Sequence, residues 1–272
     1  MTIKPTVLVT GGAGYIGSHA VLALKDAGWR VAVIDNLTTG FRFAVPDGVP
    51  LYEGDIADAA LLARIFAEQD TRAIMHFAGS IVVPESVADP LKYYHNNTAK
   101  SRALIAAAIE AGIAHVIFSS TAATYGIPEV AAVSEDTPQR PINPYGWSKL
   151  MTEQMLADVA AAHPMNYGVL RYFNVAGADP QARSGQSTAG ATHLIKVAIE
   201  AALGKRATNH DRIESRTSNV NPFEICRCCK ASRAAVPRGV TPTLLDWYIW
   251  KSTKAKMTIE ITLSERRCQR SE

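Results

Sequence analysis

The chain has 272 residues, of which 47% are apolar and 19% are charged, and its formal net charge is +3. This composition is typical of a soluble globular protein, and the length fits one large domain or two small ones. No apolar run approaches the roughly 18 residues that a membrane helix needs, which argues against a membrane protein.

The charge is uneven, because from Lys205 onward the chain has 14 Lys and Arg against 7 Asp and Glu. Ser, Thr and Asn interrupt these basic residues, which indicates a solvated tail rather than a nucleic-acid surface. All four cysteines also lie in this last part, and the N-terminus lacks the pattern of a signal peptide. We therefore expect a cytoplasmic protein whose main body has no disulfide.

Short β-branched runs alternate with Ala- and Leu-rich segments as far as Leu203, which predicts an α/β fold with a doubly wound parallel sheet. The predicted strands lie near residues 6–10, 30–35, 49–53, 73–77, 115–119 and 167–172. The predicted helices lie near residues 15–27, 59–69, 90–111, 145–162 and 192–203. After Asn209 the periodicity is lost, and we expect residues 210–272 to be poorly ordered.

Three glycines, Gly11, Gly14 and Gly17, follow the first strand at intervals of three, and Gly12 adds a fourth. Glycine lets a ligand approach the main chain closely, and the N-terminus of the next helix attracts a pyrophosphate. The pattern predicts a dinucleotide-binding turn, although similar patterns also occur in turns that bind nothing.

Asp35 ends the second predicted strand, 18 residues after Gly17. A carboxylate at this position accepts hydrogen bonds from the adenosine ribose and repels a 2′-phosphate, which favours NAD over NADP. The alternative is that Asp35 and Asn36 only cap the following turn. Asp55 and Ile56 follow the third strand, where Asp55 lies beside an adenine or serves as a helix N-cap.

Tyr145 and Lys149 are one helical turn apart and share a helix face. An ammonium beside a phenol favours the phenolate, so we expect Lys149 to lower the pKa of Tyr145 toward a value useful for a general base. Thr121, at the end of the fifth strand, is the candidate third member. Ser119 and Ser120 are alternatives that satisfy local backbone groups.

These motifs resemble the UDP-glucose 4-epimerases (UDP-galactose 4-epimerases), which are extended short-chain dehydrogenase/reductase enzymes. The resemblance spans about residues 7–206 and rests on TGGAGYIGSH at Thr10, DNL at Asp35, GDI at Gly54, HFAG at His76, ESV at Glu85, YYHNN at Tyr93, FSSTAATYG at Phe118, NPYGWSKLM at Asn143 and RYFNVAGADP at Arg171. It implies a Rossmann-type domain at 1–180, the start of a small and incomplete C-terminal substrate lobe at 181–209, and a tail at 210–272 that lies outside the family pattern.

The resemblance also implies site residues. The catalytic residues are Tyr145, Lys149 and Thr121, and the substrate-binding residues are Thr121, Tyr145, Asn174 and His193. With the turn glycines and Ser119 included, the cofactor-binding set is Gly11, Gly12, Gly14, Tyr15, Ile16, Gly17, Asp35, Asn36, Asp55, Ile56, Phe77, Ala78, Gly79, Asn96, Ser119, Tyr145, Lys149 and Phe173.

The implied activity is that of an isomerase of galactose metabolism, which interconverts UDP-galactose and UDP-glucose through a 4-keto sugar with NAD as cofactor. The implied partners are a UDP-hexose and a second copy of the chain, packed through the helices near 90–111 and 145–162. Neither a nucleic acid nor a membrane is expected to bind. The cysteines Cys226, Cys228 and Cys229 lack the usual zinc-site spacing, so no metal is expected.

Three alternatives stay open at the level of sequence. The first is a 4-epimerase of another UDP sugar. The second is a 4,6-dehydratase, which is disfavoured because Ala122 and Ala123 stand where that class carries Asp and Glu. The third is a non-catalytic NAD-binding or inactive truncated product, because nothing after Thr208 resembles the family segment that binds uridine diphosphate. We expect the chain to leave the family sequence near Asn209, as a changed reading frame would cause.

Overall fold

The computed structural model describes residues 5–130, 132–188, 190 and 194–205. The chain divides into a first unit, Met1–Ala198, and a second unit, Ile199–Glu272, of which only residues 199–205 are described. The predicted tail at 210–272, its cysteines and the candidate His193 lie outside the described residues. The predicted domain limits stay predictions.

Six parallel strands form one sheet in the order β3-β2-β1-β4-β5-β6. The strands are β1 Thr6–Thr10, β2 Arg30–Asp35, β3 Leu51–Glu53, β4 Thr71–His76, β5 His115–Thr121 and β6 Asn166–Tyr172. The helices are α1 Tyr15–Asp26, α2 Ala59–Gln69, α3 Val83–Ala88, α4 Pro90–Tyr93, α5 Lys100–Glu110, α6 Pro144–Ala162 and α7 Leu194–Ala202. This order confirms the predicted doubly wound parallel sheet.

Both faces of the sheet are covered, because alternate residues of the central strands enter two separate apolar clusters. Leu8 and Ile34 face a cluster that includes Leu62 of α2 and Leu104 of α5. Their neighbours, among them Val9, face a second cluster that is completed by Ala20, Val21 and Leu24 of α1. Polar groups of the central strands are therefore accessible mainly at the strand ends.

The structure confirms the predicted helix at 90–111 as one helical run over residues 90–110, but its middle is π-helical. Asp89 caps α4 by accepting a hydrogen bond from the Lys92 amide at 3.2 Å, and a π-helical segment, Tyr94–Ala99, joins α4 to α5. Such segments insert an extra residue and often occur at functional sites. Here the segment carries Asn97, whose Nδ2 donates to the Ser80 carbonyl at 2.9 Å and to Ser148 Oγ at 3.0 Å. Helix α3 was not predicted at all.

Within the described residues, no helix combines the length and the apolar character that crossing a membrane requires.

Candidate active site

The carboxyl ends of β1 and β4 lie side by side at the middle of the sheet, where the strand order reverses. In open α/β sheets this reversal leaves a crevice in which ligands bind. The glycine turn follows β1, and the segment from Phe77 to Ser80 follows β4. The candidate residues from both motifs therefore meet at one edge of the sheet.

The glycine turn is so tight that side chains cannot be accommodated. Gly11 has φ of 67°, and a Cβ on it would lie 2.7 Å from the Ala78 amide nitrogen. A Cβ on Gly17 would lie 2.1 Å from the Gly11 carbonyl oxygen. Gly14 is the N-cap of α1 and brings no capping side chain, so no side-chain cap competes with a ligand at the N-terminus of this helix.

Asp35 is buried at the end of β2 and braces this turn. Its Oδ2 accepts a hydrogen bond from the Ala13 amide at 2.9 Å, and its Oδ1 accepts one from the Leu37 amide at 2.8 Å. Asn36 is exposed, and its Oδ1 accepts from the Thr38 amide and hydroxyl. The capping alternative thus describes part of what Asp35 does, and each carboxylate oxygen keeps a second lone pair for a ligand.

Asp55 is not a helix N-cap, and that alternative was wrong. Helix α2 is capped by Asp58, whose side chain accepts from the Leu61 amide at 3.0 Å, because the helix begins three residues later than a cap at Asp55 requires. Asp55 instead forms an ion pair with Lys100, with Oδ2 and Nζ 2.5 Å apart. Ile56 is buried in the core, so only its main chain is available to a ligand.

Helix α6 brings Tyr145 and Lys149 to the ends of β5 and β6. The Asn143 side chain caps the helix by accepting from the Gly146 amide at 2.8 Å, and Pro144 occupies its first turn. Lys149 is 3% exposed, and its Nζ donates to the Ser119 carbonyl at 2.9 Å and lies 4.9 Å from the centre of the Phe118 ring. Burial lowers the pKa of Lys149 to about 8, against the opposing effect of the Glu153 charge.

The expected direction of the Tyr145 pKa shift was wrong. Burial raises the pKa of Tyr145, and a hydrogen bond with Thr121 acts in the opposite direction. The physical reason is burial of the phenol, and the Lys149 ammonium donates to the Ser119 carbonyl. The ring of Tyr93 meets the Tyr145 ring edge-on, with centroids 6.3 Å apart, and completes the apolar side of this environment.

The three hydroxyl residues at the end of β5 have different partners. Thr121 is 8% exposed, its Oγ1 accepts from the Ala123 amide at 3.1 Å, and its side chain lowers the pKa of Tyr145. Ser120 Oγ donates to Glu153. Ser119 contributes its carbonyl to Lys149. Of the three, Thr121 is the one whose side chain acts on Tyr145.

The segment after β4 lies beside Lys149. Phe77 continues the β1 pairing through its amide, which donates to the Thr10 carbonyl at 3.0 Å. A Cβ on Gly79 would lie 3.4 Å from Lys149 Nζ, so the main chain passes close to the ammonium. The Asn96 side chain donates to Ser80 Oγ at 3.1 Å.

His76, the last residue of β4, is buried under this segment. Thr10 Oγ1 lies 2.7 Å from its Nδ1, and Ser101 Oγ lies 2.8 Å from its Nε2. Burial and, secondarily, the charge of Lys149 lower the pKa of His76 to about 3. The imidazole is therefore neutral at physiological pH.

Not every candidate is brought into the cluster. Phe173 and Asn174 follow β6 and are exposed, Phe173 by 73%. The sequence analysis missed Tyr93, Asn97 and Glu153, which all contact or support the site. Glu153 could have been found, since it continues the series Tyr145, Lys149 at the same four-residue spacing.

Comparison with known proteins gives consistent matches over the first three quarters of the chain. The model of the NAD dependent epimerase/dehydratase family matches residues 7–216. The UDP-glucose 4-epimerase of Azospirillum brasilense is 62% identical over 203 residues, which cover 75% of this chain and 58% of that protein.

Two solved structures are similar in fold. The UDP-glucose 4-epimerase from Brucella ovis in complex with NAD has a TM-score of 0.72 at 45% identity, covering 74% of this chain and 62% of that one. The enzyme from Bifidobacterium longum in complex with NAD+ and UDP has a TM-score of 0.70 at 37% identity, covering 74% and 63%. The chain thus spans about three fifths of the length of these relatives.

Proposed function

Because the chain belongs to the NAD dependent epimerase/dehydratase family, we propose that it is an NAD-dependent UDP-glucose 4-epimerase, which interconverts UDP-glucose and UDP-galactose. One observation carries this proposal. The Thr121 side chain acts on Tyr145 by lowering its pKa, and the buried Lys149 lies one helical turn further along α6, beside Gly79 of the β4 segment, whose residue Ala78 in turn lies against Gly11.

The residues at the edge of the sheet fit NAD. The turn at Gly11 and Gly17 leaves no room for side chains, and the uncapped start of α1 suits a pyrophosphate. Asp35 would accept hydrogen bonds from the adenosine ribose, and Lys149 would bind the nicotinamide ribose. When bound, NAD supplies a hydride acceptor at a positively charged nicotinamide ring.

The proton chemistry falls to the residues of the chain. A 4-epimerase removes the proton of the sugar C4 hydroxyl and returns it after the configuration at C4 has inverted. Tyr145 is the group placed for both transfers, because the Thr121 side chain acts on its hydroxyl. It takes up a proton only as the phenolate, a form that the positive charges of Lys149 and of bound NAD would favour against the effect of burial. Thr121 orients the phenol and the sugar hydroxyl, and Lys149 provides the positive charge near them.

The same fold also serves dehydration, but Ala122 and Ala123 disfavour it here. They begin the short 3₁₀ turn Ala122–Tyr125 directly after Thr121. Elimination of water needs an additional acid and base, and methyl groups cannot transfer protons. A protein that binds NAD but does not epimerise UDP-galactose, whether non-catalytic or specific for another UDP sugar, is an outcome that the test below separates from the proposed function.

A second copy of the chain is the proposed protein partner. Helices α5 and α6 and the π-helical segment between α4 and α5 line a groove of about 520 Å³, formed by Tyr94, Thr98, Ala99, Arg102, Met151 and Met155. Apolar and amphipathic side chains of this kind are typical of the centre of an interface. The groove lies on the two helical segments for which the sequence predicts dimerisation. A cytoplasmic location stays a prediction.

Two measurements test the proposal separately. Purified protein is analysed for bound NAD after denaturation, and the same preparation is incubated with UDP-galactose and assayed for UDP-glucose. We expect both results to be positive. Bound NAD without conversion supports the non-catalytic alternative, whereas a folded preparation that neither contains nor takes up NAD refutes the proposal.

A further inference from the structure

Glu153 is a buried carboxylate in α6, one turn after Lys149, and sequence analysis gave it no role. It is 6% exposed. Its Oε1 accepts a hydrogen bond from Ser120 Oγ. Its Oε2 accepts from Arg171 Nη2 at 2.7 Å and from Arg171 Nε at 3.0 Å.

Arg171, the ion-pair partner of Glu153, is itself held in place by further hydrogen bonds. It belongs to β6, and its Nη1 donates to the Tyr125 hydroxyl at 2.9 Å while its Nη2 donates to Gln139 Oε1 at 3.0 Å. Gln139 also reaches Glu153, with Nε2 3.2 Å from Oε2. Since a buried charge is costly unless it is paired and hydrogen-bonded, the pair persists only while these partners stay together.

The partner of Glu153 on β5 lies at the centre of the candidate site. Ser120 stands between Ser119, whose carbonyl accepts from Lys149, and Thr121, whose side chain lowers the pKa of Tyr145. Helix α6 and the end of β5 are therefore joined at three successive strand residues. Glu153 makes the middle connection without reaching the other two partners.

We propose that Glu153 is a positioning residue of the candidate site, which fixes the end of β5 against α6 through Ser120 and places a negative charge one helical turn from Lys149 on the same helix face. The assignment rests on the proposed function only in so far as Tyr145, Lys149 and Thr121 are taken as the catalytic residues.

The surroundings of Lys149 support the electrostatic part. On α6, Tyr145 and Glu153 lie one turn to either side of it, while β4 contributes His76 and β5 contributes the Ser119 carbonyl and the Phe118 ring. His76 is neutral and Tyr145 keeps its proton, because burial lowers the pKa of the first and raises that of the second. Glu153 thus provides the negative charge that opposes desolvation of the ammonium.

The variant Glu153→Gln tests the proposal. The amide oxygen can still accept from Ser120, but the charge is lost. We expect the titration midpoint of Lys149 to move below its value of about 8. The measurement is NMR of isotope-labelled lysine side chains, in which the Lys149 signal is identified by its loss in Lys149→Met. The control is Glu68→Gln, which removes an exposed carboxylate from α2.

A double variant covers the case in which Glu153→Gln fails to fold around an unpaired Arg171. Glu153→Gln combined with Arg171→Met removes both charges, which buried sites often tolerate. The Lys149 midpoint should again fall, by less than in the single variant. An unchanged or raised midpoint in the folded variants, with Glu68→Gln equal to the parent protein, overturns the proposal.

An activity measurement tests the positioning part. In a preparation that epimerises UDP-galactose, Glu153→Gln should reduce kcat by about 10- to 100-fold with little change in KM, because Glu153 acts through other residues. Glu153→Asp, which keeps the charge, should retain the Lys149 midpoint better than Glu153→Gln. A purely structural role predicts no such rescue. The NMR result needs neither NAD nor turnover, so its failure is distinct from failure of the proposed function.

Discussion

Thr121→Val is the substitution that examines the Tyr145 environment most directly. Valine has nearly the same shape as threonine, but it has no hydroxyl to act on Tyr145 or to accept from the Ala123 amide. A net hydrogen bond contributes about 1 kcal/mol, so loss of the bond from the Ala123 amide should lower the free energy of unfolding by about 1 kcal/mol. The bond with Thr121 lowers the pKa of Tyr145, and its loss should therefore raise that pKa further.

The pKa is measured from the near-ultraviolet absorbance of the phenolate as a function of pH. The chain has 9 tyrosines, so the contribution of Tyr145 is obtained as the difference from the same titration of Tyr145→Phe. Urea denaturation gives the free energy of unfolding. Thr121→Ser keeps the hydroxyl and should match the parent protein in both measurements. If the Tyr145 midpoint in Thr121→Val is unchanged or lower, Thr121 is not the partner that sets it.

Three further predictions concern the lysine, the glycine turn and the groove. Because burial lowers the pKa of Lys149 from 10.5 to about 8, the folded state binds fewer protons there than the unfolded state. Lys149 should therefore make stability rise by about 3 kcal/mol between pH 8 and pH 10.5, a slope that Lys149→Met should lose in urea denaturation at several pH values. Gly11→Ala, whose Cβ would lie 2.7 Å from the Ala78 nitrogen, should abolish NAD uptake. Gly168→Ala, whose Cβ meets no atom within 4 Å, should not. Equal NAD content in the two variants would contradict NAD binding at the glycine turn. Met151→Asp should shift the protein toward monomer in light scattering, while Gln154→Ala on the same helix should leave the mass unchanged. An identical mass for the parent protein and both variants excludes the groove as the interface.

The fold could be predicted where the sequence pattern is periodic. The alternation of strands and helices gave the parallel sheet, and the glycine spacing after β1 gave the turn, because both depend on local backbone requirements. Helix α3 and the π-helical segment were missed. They depend on tertiary bonds such as those of Asn97 to Ser80 and Ser148, which no sequence period reports.

The sequence predicted which residues form the site better than it predicted their pKa shifts. The spacing of Tyr145 and Lys149 placed both on one face of α6, and the comparisons with known epimerases confirm the resemblance read from the motifs. The sequence could not tell that burial would raise the pKa of Tyr145, and so the sign of this shift was missed. Asp55 was uncertain for a similar reason, since the cap of α2 depends on where the helix begins.

The buried imidazole of His76 joins Thr10 of β1 to Ser101 of α5, and its neighbours fix the donor and the acceptor in each of these two hydrogen bonds. Thr10 Oγ1 accepts from the Ala78 amide, and Ser101 Oγ donates to the Asn97 carbonyl. Thr10 is then left to donate to Nδ1, and Nε2 carries the ring proton toward Ser101. A second proton on the ring would have to turn the Thr10 hydroxyl around, at the residue that precedes the glycine turn. Because the pKa of His76 is about 3, that second proton is absent at physiological pH and the Thr10 hydroxyl keeps its orientation.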